Sequence, residues 1–138
     1  MSISKIHHFT IRCVPDDLPT LLDFYSKYFQ LTTGPRPAFP FPGDWLYSDG
    51  QPIVHVAGCL DEKGVDTTGP LDHISFRAHG LEKTRAFFRA EGLSFAELPV
   101  EGWPLHQLFL YDPNGLKLEL TFDLNEEEGN KNGQLLQG

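Results

Sequence analysis

The chain has 138 residues, 40% of them hydrophobic, and a formal net charge of −8. That length suits one domain or two small halves, with enough apolar content to bury a core. The acidic balance excludes non-specific nucleic-acid binding and docking on an anionic membrane surface. No apolar run reaches membrane-spanning length and no basic segment leads into an apolar one, so a cytoplasmic protein is expected. Cys13 and Cys59 fit neither a metal motif nor a disulfide framework and read as buried free thiols.

Taken in order, Ile3 to Cys13 is a strand candidate, with Ile6, His8, Thr10 and Arg12 on one face and His7, Phe9, Ile11 and Cys13 on the other. Pro15-Asp16-Asp17 offers a turn and an N-cap. Leu18, Leu21, Leu22, Tyr25 and Phe29 then recur at helical spacing. Leu31 to Gly43 carries Pro35, Pro37, Pro40 and Pro42, which deny it a regular central strand. It reads as an irregular edge or loop displaying Arg36, Phe39 and Phe41. Asp44 to Ser48 and Ile53 to Ala57 are strands joined by an Asp49-Gly50 turn. A polar stretch, residues 59–70, follows as a linker.

The pattern then restarts. Leu71 to Ala78 reads as a strand and Gly80 to Glu91 as a helix stopped by Gly92; Leu93 to Val100 is a third segment. Leu105 to Tyr111 and Leu116 to Phe122 form a hairpin around Asp112-Pro113-Asn114-Gly115. Residues 123–138, with three consecutive glutamates, read as an acidic flexible tail. The expected architecture is α+β: a βαβββ module over residues 1–58, the linker, and a second βαβββ module over 71–122.

An internal repeat supports this reading. Ile6-His7-His8-Phe9-Thr10-Ile11-Arg12 matches Leu71-Asp72-His73-Ile74-Ser75-Phe76-Arg77 at a spacing of 65 residues. Phe24-Tyr25 answers to Phe87-Phe88, and His55 lies 64 residues before Glu119. The repeat thus pairs His8 with His73 and His55 with Glu119. A glutamate between leucines in a short strand is badly placed unless something needs its charge. If each half bends its strands into an open cup, three imidazoles and one carboxylate meet inside it. That N/O set suits Fe(II), Mn, Ni, Co or Zn. His8, His73 and Glu119 alone leave positions open for substrate or water.

Three segments carry a resemblance: His8-Phe9-Thr10-Ile11, Leu71-Asp72-His73-Ile74-Ser75-Phe76, and Asp112-Pro113-Asn114-Gly115-x-x-x-Glu119. Together, in this order, they resemble the vicinal oxygen chelate superfamily: glyoxalase I, fosfomycin-resistance thiol transferases, methylmalonyl-CoA epimerase, bleomycin-binding proteins and extradiol dioxygenases. The resemblance spans residues 3–122. It implies paired βαβββ modules, a divalent metal held by His8, His73 and Glu119, and a homodimer whose sites take ligands from both chains. His55 stands where glyoxalase I has a glutamate and the epimerase a glutamine; it is a fourth ligand or an acid/base beside the metal. Thr10 matches the hydroxyl that the fosfomycin enzymes keep near the metal.

The expected substrate is a small oxygenated metabolite whose neighbouring oxygens meet a Lewis acid, in a glyoxalase-type lyase or isomerase or a ring-cleaving dioxygenase. A metal-free, bleomycin-resistance-like binding module and a fosfomycin-type thiol transferase are the alternatives. Arg36, Trp45, Tyr47, His106 and Gln107 are candidates for the substrate wall. Strand alternation puts either His106 or Gln107 in the cup, and His106 becomes the proton shuttle if it is the one.

Overall fold

The computed structural model describes residues 1–63 and 71–127. Two compact units divide it, with the boundary between Thr67 and Thr68.

In the first unit, β1 (Phe9–Cys13) leads through a single 3₁₀ turn at Pro15–Asp17 into α1 (Leu18–Phe29). Three strands follow: β2 (Thr32–Gly34), β3 (Gly43–Ser48) and β4 (Gln51–Gly58), in the sheet order β1-β4-β3-β2. β1 pairs parallel to β4 and the other pairs are antiparallel. β1 is shorter than the expected Ile3–Cys13 strand. Its register starts at Phe9↔Val54, and continuing it backwards would meet Pro52, which has no N–H to donate. His8 therefore sits just before the strand. Asp17 precedes α1 but makes no capping bond; its carboxylate instead lies 3.1 Å from Lys63 Nζ. The β3–β4 turn is as expected, Asp49 and Gly50 both taking positive φ. Ile11, Cys13, Leu46, Val54 and Val56 are buried with Leu21, Phe24 and Tyr25 of α1, forming this unit's core.

The second unit repeats the plan. β5 (Ile74–Ala78), α2 (Leu81–Ala90), β6 (Ala96–Pro99), β7 (Leu105–Tyr111) and β8 (Lys117–Asp123) give the sheet order β5-β8-β7-β6. β5 is parallel to β8. Leu108, Leu110, Leu118, Leu120 and Phe122 are buried with Leu81 and Phe88 of α2. Asp112 shapes the hairpin: its Oδ1 accepts from the amides of Asn114 (2.8 Å) and Leu116 (2.9 Å) while Gly115 turns at φ 83°.

The acidic stretch after β8 differs from the flexible tail expected of it. Residues 124–127 form a helical turn. Glu127 accepts from the amides of Gly80 (2.8 Å) and Leu81 (3.1 Å), supplying the N-terminal cap that α2 lacks in its own sequence. Glu126 pairs with Arg77 and with His79. Residues 128–138 and the central part of the linker, 64–70, lie outside the described residues. No helix among the described residues is long and apolar enough to cross a membrane.

Candidate functional site

The two parallel registers reproduce the sequence repeat. Thr10 stands opposite His55 in the first unit and Ser75 opposite Glu119 in the second. In each case a histidine, His8 or His73, lies two residues before the hydroxyl residue. Alternation places that histidine on the face of its partner strand's functional residue, opposite the helix-covered core.

In the second unit the polar groups form a chain. His73 Nδ1 lies 2.7 Å from Asp72 Oδ2, and His73 Nε2 lies 3.7 Å from Glu119 Oε1. Glu119 Oε2 accepts from Thr121 Oγ1 at 3.1 Å, and that hydroxyl lies 2.9 Å from Ser75 Oγ. Glu119 is buried, at 6% exposure. With its Nδ1 at Asp72, His73 turns Nε2 toward the Glu119 oxygen at a separation beyond hydrogen-bond length. A cation between them would be held by both groups. Two ligands about 2.1 Å from one divalent ion stand roughly 3–4 Å apart, and a carboxylate that orients a ligand histidine through its other nitrogen is a recurrent support. This pair fits a divalent metal. Bonds from His73 and Lys117 hold the exposed Asp72 carboxyl below the usual range.

In the first unit, His8, Trp45 and His55 form a ring cluster. The His8 and Trp45 centroids are 5.2 Å apart, and those of Trp45 and His55 are 6.0 Å apart. His8 Nδ1 lies 2.9 Å from His7 Nδ1. Trp45 pairs with His55 across β3 and β4, and its Nε1 is buried without a hydrogen-bond partner. His55 is buried, at 5% exposure, and accepts at Nε2 from Arg36 Nε (3.2 Å). Desolvation, then Arg36, then His8 lower its pKa below the ordinary imidazole value, keeping it neutral at neutral pH. Thr10 is exposed on the same sheet face. Tyr47 has a structural tie: its hydroxyl donates to Pro35 O at 2.6 Å and steadies the start of the Arg36 segment.

The His106/Gln107 alternative resolves to Gln107. Gln107 stands opposite Thr121 and so shares the face of Glu119. His106 stands opposite the buried Phe122 and turns toward α2, where its Nε2 lies 3.1 Å from Arg85 Nη2 and 2.8 Å from Glu97 Oε2. The expectation of His106 as a cup-facing proton shuttle is corrected on this point: one step in strand parity puts it on the helix side. The Arg36–His55 bond and the Trp45 donor escaped the sequence reading; the only signal was an arginine among the prolines and phenylalanines of an aperiodic segment.

Each unit by itself brings together two of the four expected ligands, His8 with His55 and His73 with Glu119. Among the described residues, no group of three His, Cys, Asp or Glu side chains is gathered to hold a metal ion.

No family model matches the chain, and no curated protein matches it. Solved structures do match. A glyoxylase/bleomycin resistance protein/dioxygenase domain from Frankia sp. EAN1pec has 17% identity and a TM-score of 0.70, over 88% of this chain and 93% of that one. The fosfomycin resistance protein FosX from Listeria monocytogenes has 21% identity and a TM-score of 0.67, over 92% and 98%. Lactoylglutathione lyase from Agrobacterium tumefaciens has 18% identity and a TM-score of 0.63, over 88% and 96%. The fold is therefore the α+β, glyoxalase-like fold that these structures share.

Proposed function

We propose that the protein is a divalent-metal-dependent enzyme acting on a small oxygenated metabolite, by lyase or isomerase chemistry of glyoxalase type or by ring-cleaving dioxygenation. The observation that carries this is the carboxylate oxygen of Glu119, a residue 6% exposed, facing His73 Nε2 at 3.7 Å, with His73 oriented by Asp72 from behind. The proposed ligands are His73 and Glu119, with His8 as the second imidazole that the repeat assigns. The metal, Fe(II), Mn, Ni, Co or Zn, supplies Lewis acidity toward two neighbouring substrate oxygens.

The chain's own residues supply the rest. Asp72 fixes the tautomer and aim of His73. Thr121 holds one Glu119 oxygen and leaves the other to face His73. His55, whose Nε2 lone pair is taken by Arg36, would serve as a hydrogen-bond donor to substrate rather than as a base, and Trp45 and Gln107 line the sheet faces that carry the site. Thr10 stands opposite His55 as a substrate hydrogen-bonding hydroxyl. A small-molecule substrate, a homodimeric assembly and a cytoplasmic setting complete the proposal.

Elemental analysis of protein purified without a histidine tag tests it. About one metal ion per chain, lost in His73→Ala, is expected; trace metal in both refutes it. Oxygen consumption with catechols under Fe(II), set against a methylglyoxal–thiol assay under Ni or Zn, then separates the two reaction classes. The second reading is a metal-free small-molecule binder. Saturable ligand binding by metal-stripped protein would support it.

A further inference from the structure

We infer that Arg36, His55 and Trp45 form an anion-binding subsite for a planar carboxylate, and that His55 belongs to this subsite rather than to the metal ligands. That this anion is the substrate rests on the function proposed above; the binding site itself does not.

Arg36 is built into place. Its guanidinium lies over the rings of Phe39 (4.8 Å) and Phe41 (5.3 Å), and its Nη2 donates to Phe41 O at 3.1 Å. Phe39 and Phe41 stack at 5.4 Å and 12°, and Phe39 continues the stack onto His55 at 5.2 Å and 26°. Gly43 makes the room: a Cβ there would stand 2.4 Å from Val56 O and 3.1 Å from Arg36 Nη2. A guanidinium seated over aromatic rings keeps its charge while losing part of its hydration, which raises its value to an incoming anion.

The hydrogen-bond balance of this cluster runs one way. Arg36 Nε spends the lone pair of His55 Nε2, so the neutral imidazole carries its proton on Nδ1 and becomes a further donor. Arg36 Nη1 has no hydrogen-bond partner among the described residues, and Trp45 Nε1 is buried without one. Among the described residues Trp45 Nε1 is the one buried donor of this cluster left without an acceptor, and such a donor is costly; an occupant that brings acceptor oxygens and a negative charge would satisfy it together with the half-buried Arg36. The flat face beside them, with Phe39 38% exposed, suits a planar apolar body behind the carboxylate. The same bond argues against metal ligation by His55. A ligand nitrogen needs the lone pair that Arg36 already uses, and a guanidinium beside a divalent cation is repelled.

The test uses the full-length protein in a Trp103→Phe background, because Trp103 is 68% exposed and would mask the Trp45 signal. Benzoate and its neutral counterpart benzamide are titrated at fixed ionic strength while Trp45 fluorescence is followed. Benzoate should saturate, with benzamide at least about tenfold weaker, a difference that corresponds to one charge-assisted contact. Arg36→Met should abolish that preference. Arg36→Lys, which keeps the charge and is the safer fold, should retain part of it. His55→Gln should keep the metal content of the parent. Equal binding of the two probes, no saturable binding, an unchanged preference in Arg36→Met, or metal loss in His55→Gln would each overturn the inference. A protein without metal that still prefers benzoate would overturn the proposed function and leave the subsite standing.

Discussion

Replacing Glu119 by glutamine isolates the electrostatic argument for the metal centre. In the protein without metal, the buried carboxylate has one donor, Thr121 Oγ1 at 3.1 Å, and its other oxygen faces His73 Nε2 at 3.7 Å. An incompletely satisfied buried polar group costs about 1–3 kcal/mol. The carboxamide has nearly the same shape, keeps an acceptor for Thr121, and offers an N–H to His73. The metal-free variant should therefore gain about 1 kcal/mol, a rise in Tm of roughly 3–6 °C for a domain of this size. With metal the order reverses. A ligand at 100 times its Kd stabilises the parent by about 2.7 kcal/mol, and the variant, having lost a charged ligand, forgoes most of this. Thermal unfolding in EDTA and in excess Zn, Ni or Mn measures both arms. The reasoning is refuted if Glu119→Gln melts below the parent in EDTA, or if metal raises both melting temperatures equally.

Three further outcomes follow from the packing. Glu97 receives Arg85 Nε at 2.7 Å and lies 2.8 Å from His106 Nε2; Arg85 first, then His106, hold its carboxyl below the ordinary glutamate value. Its contribution is therefore complete above about pH 4.3 and is lost as pH falls through the lowered value. Glu97→Gln should lose about 0.5–1 kcal/mol at pH 7 and show a shallower acid decline than the parent, measured by urea unfolding from pH 7 to 3. Gly43→Ala, whose Cβ would meet Val56 O at 2.4 Å, should cost about 1–3 kcal/mol and weaken benzoate binding by displacing Arg36. Phe88→Ala empties a fully buried position and should cost about 3–5 kcal/mol, read as a fall in the denaturation midpoint.

Much of the site was legible because it is written in strand alternation. That His8 shares a face with Thr10, and His73 with Ser75, follows from a period of two, while the pairing of His55 with Glu119 follows from the internal repeat. The parallel registers Thr10↔His55 and Ser75↔Glu119 express that period in space. The turn at Asp112 to Gly115 was equally plain, since Pro, Asn and Gly prescribe backbone angles locally.

What only the tertiary structure decided lies where no local period exists. Whether His106 or Gln107 shares the face of Glu119 depends on the register of one strand against its neighbour, and a single step exchanges them. Arg36 reaches His55 across 19 residues from a segment whose prolines carry no repeating pattern. Glu127 caps a helix that begins 46 residues earlier, so its acidic neighbourhood reads as solvated chain until the fold closes. Alternation and turn chemistry are short-range and survive in the sequence alone. Partners of an arginine or a carboxylate are chosen by packing between distant segments, which only the folded chain displays.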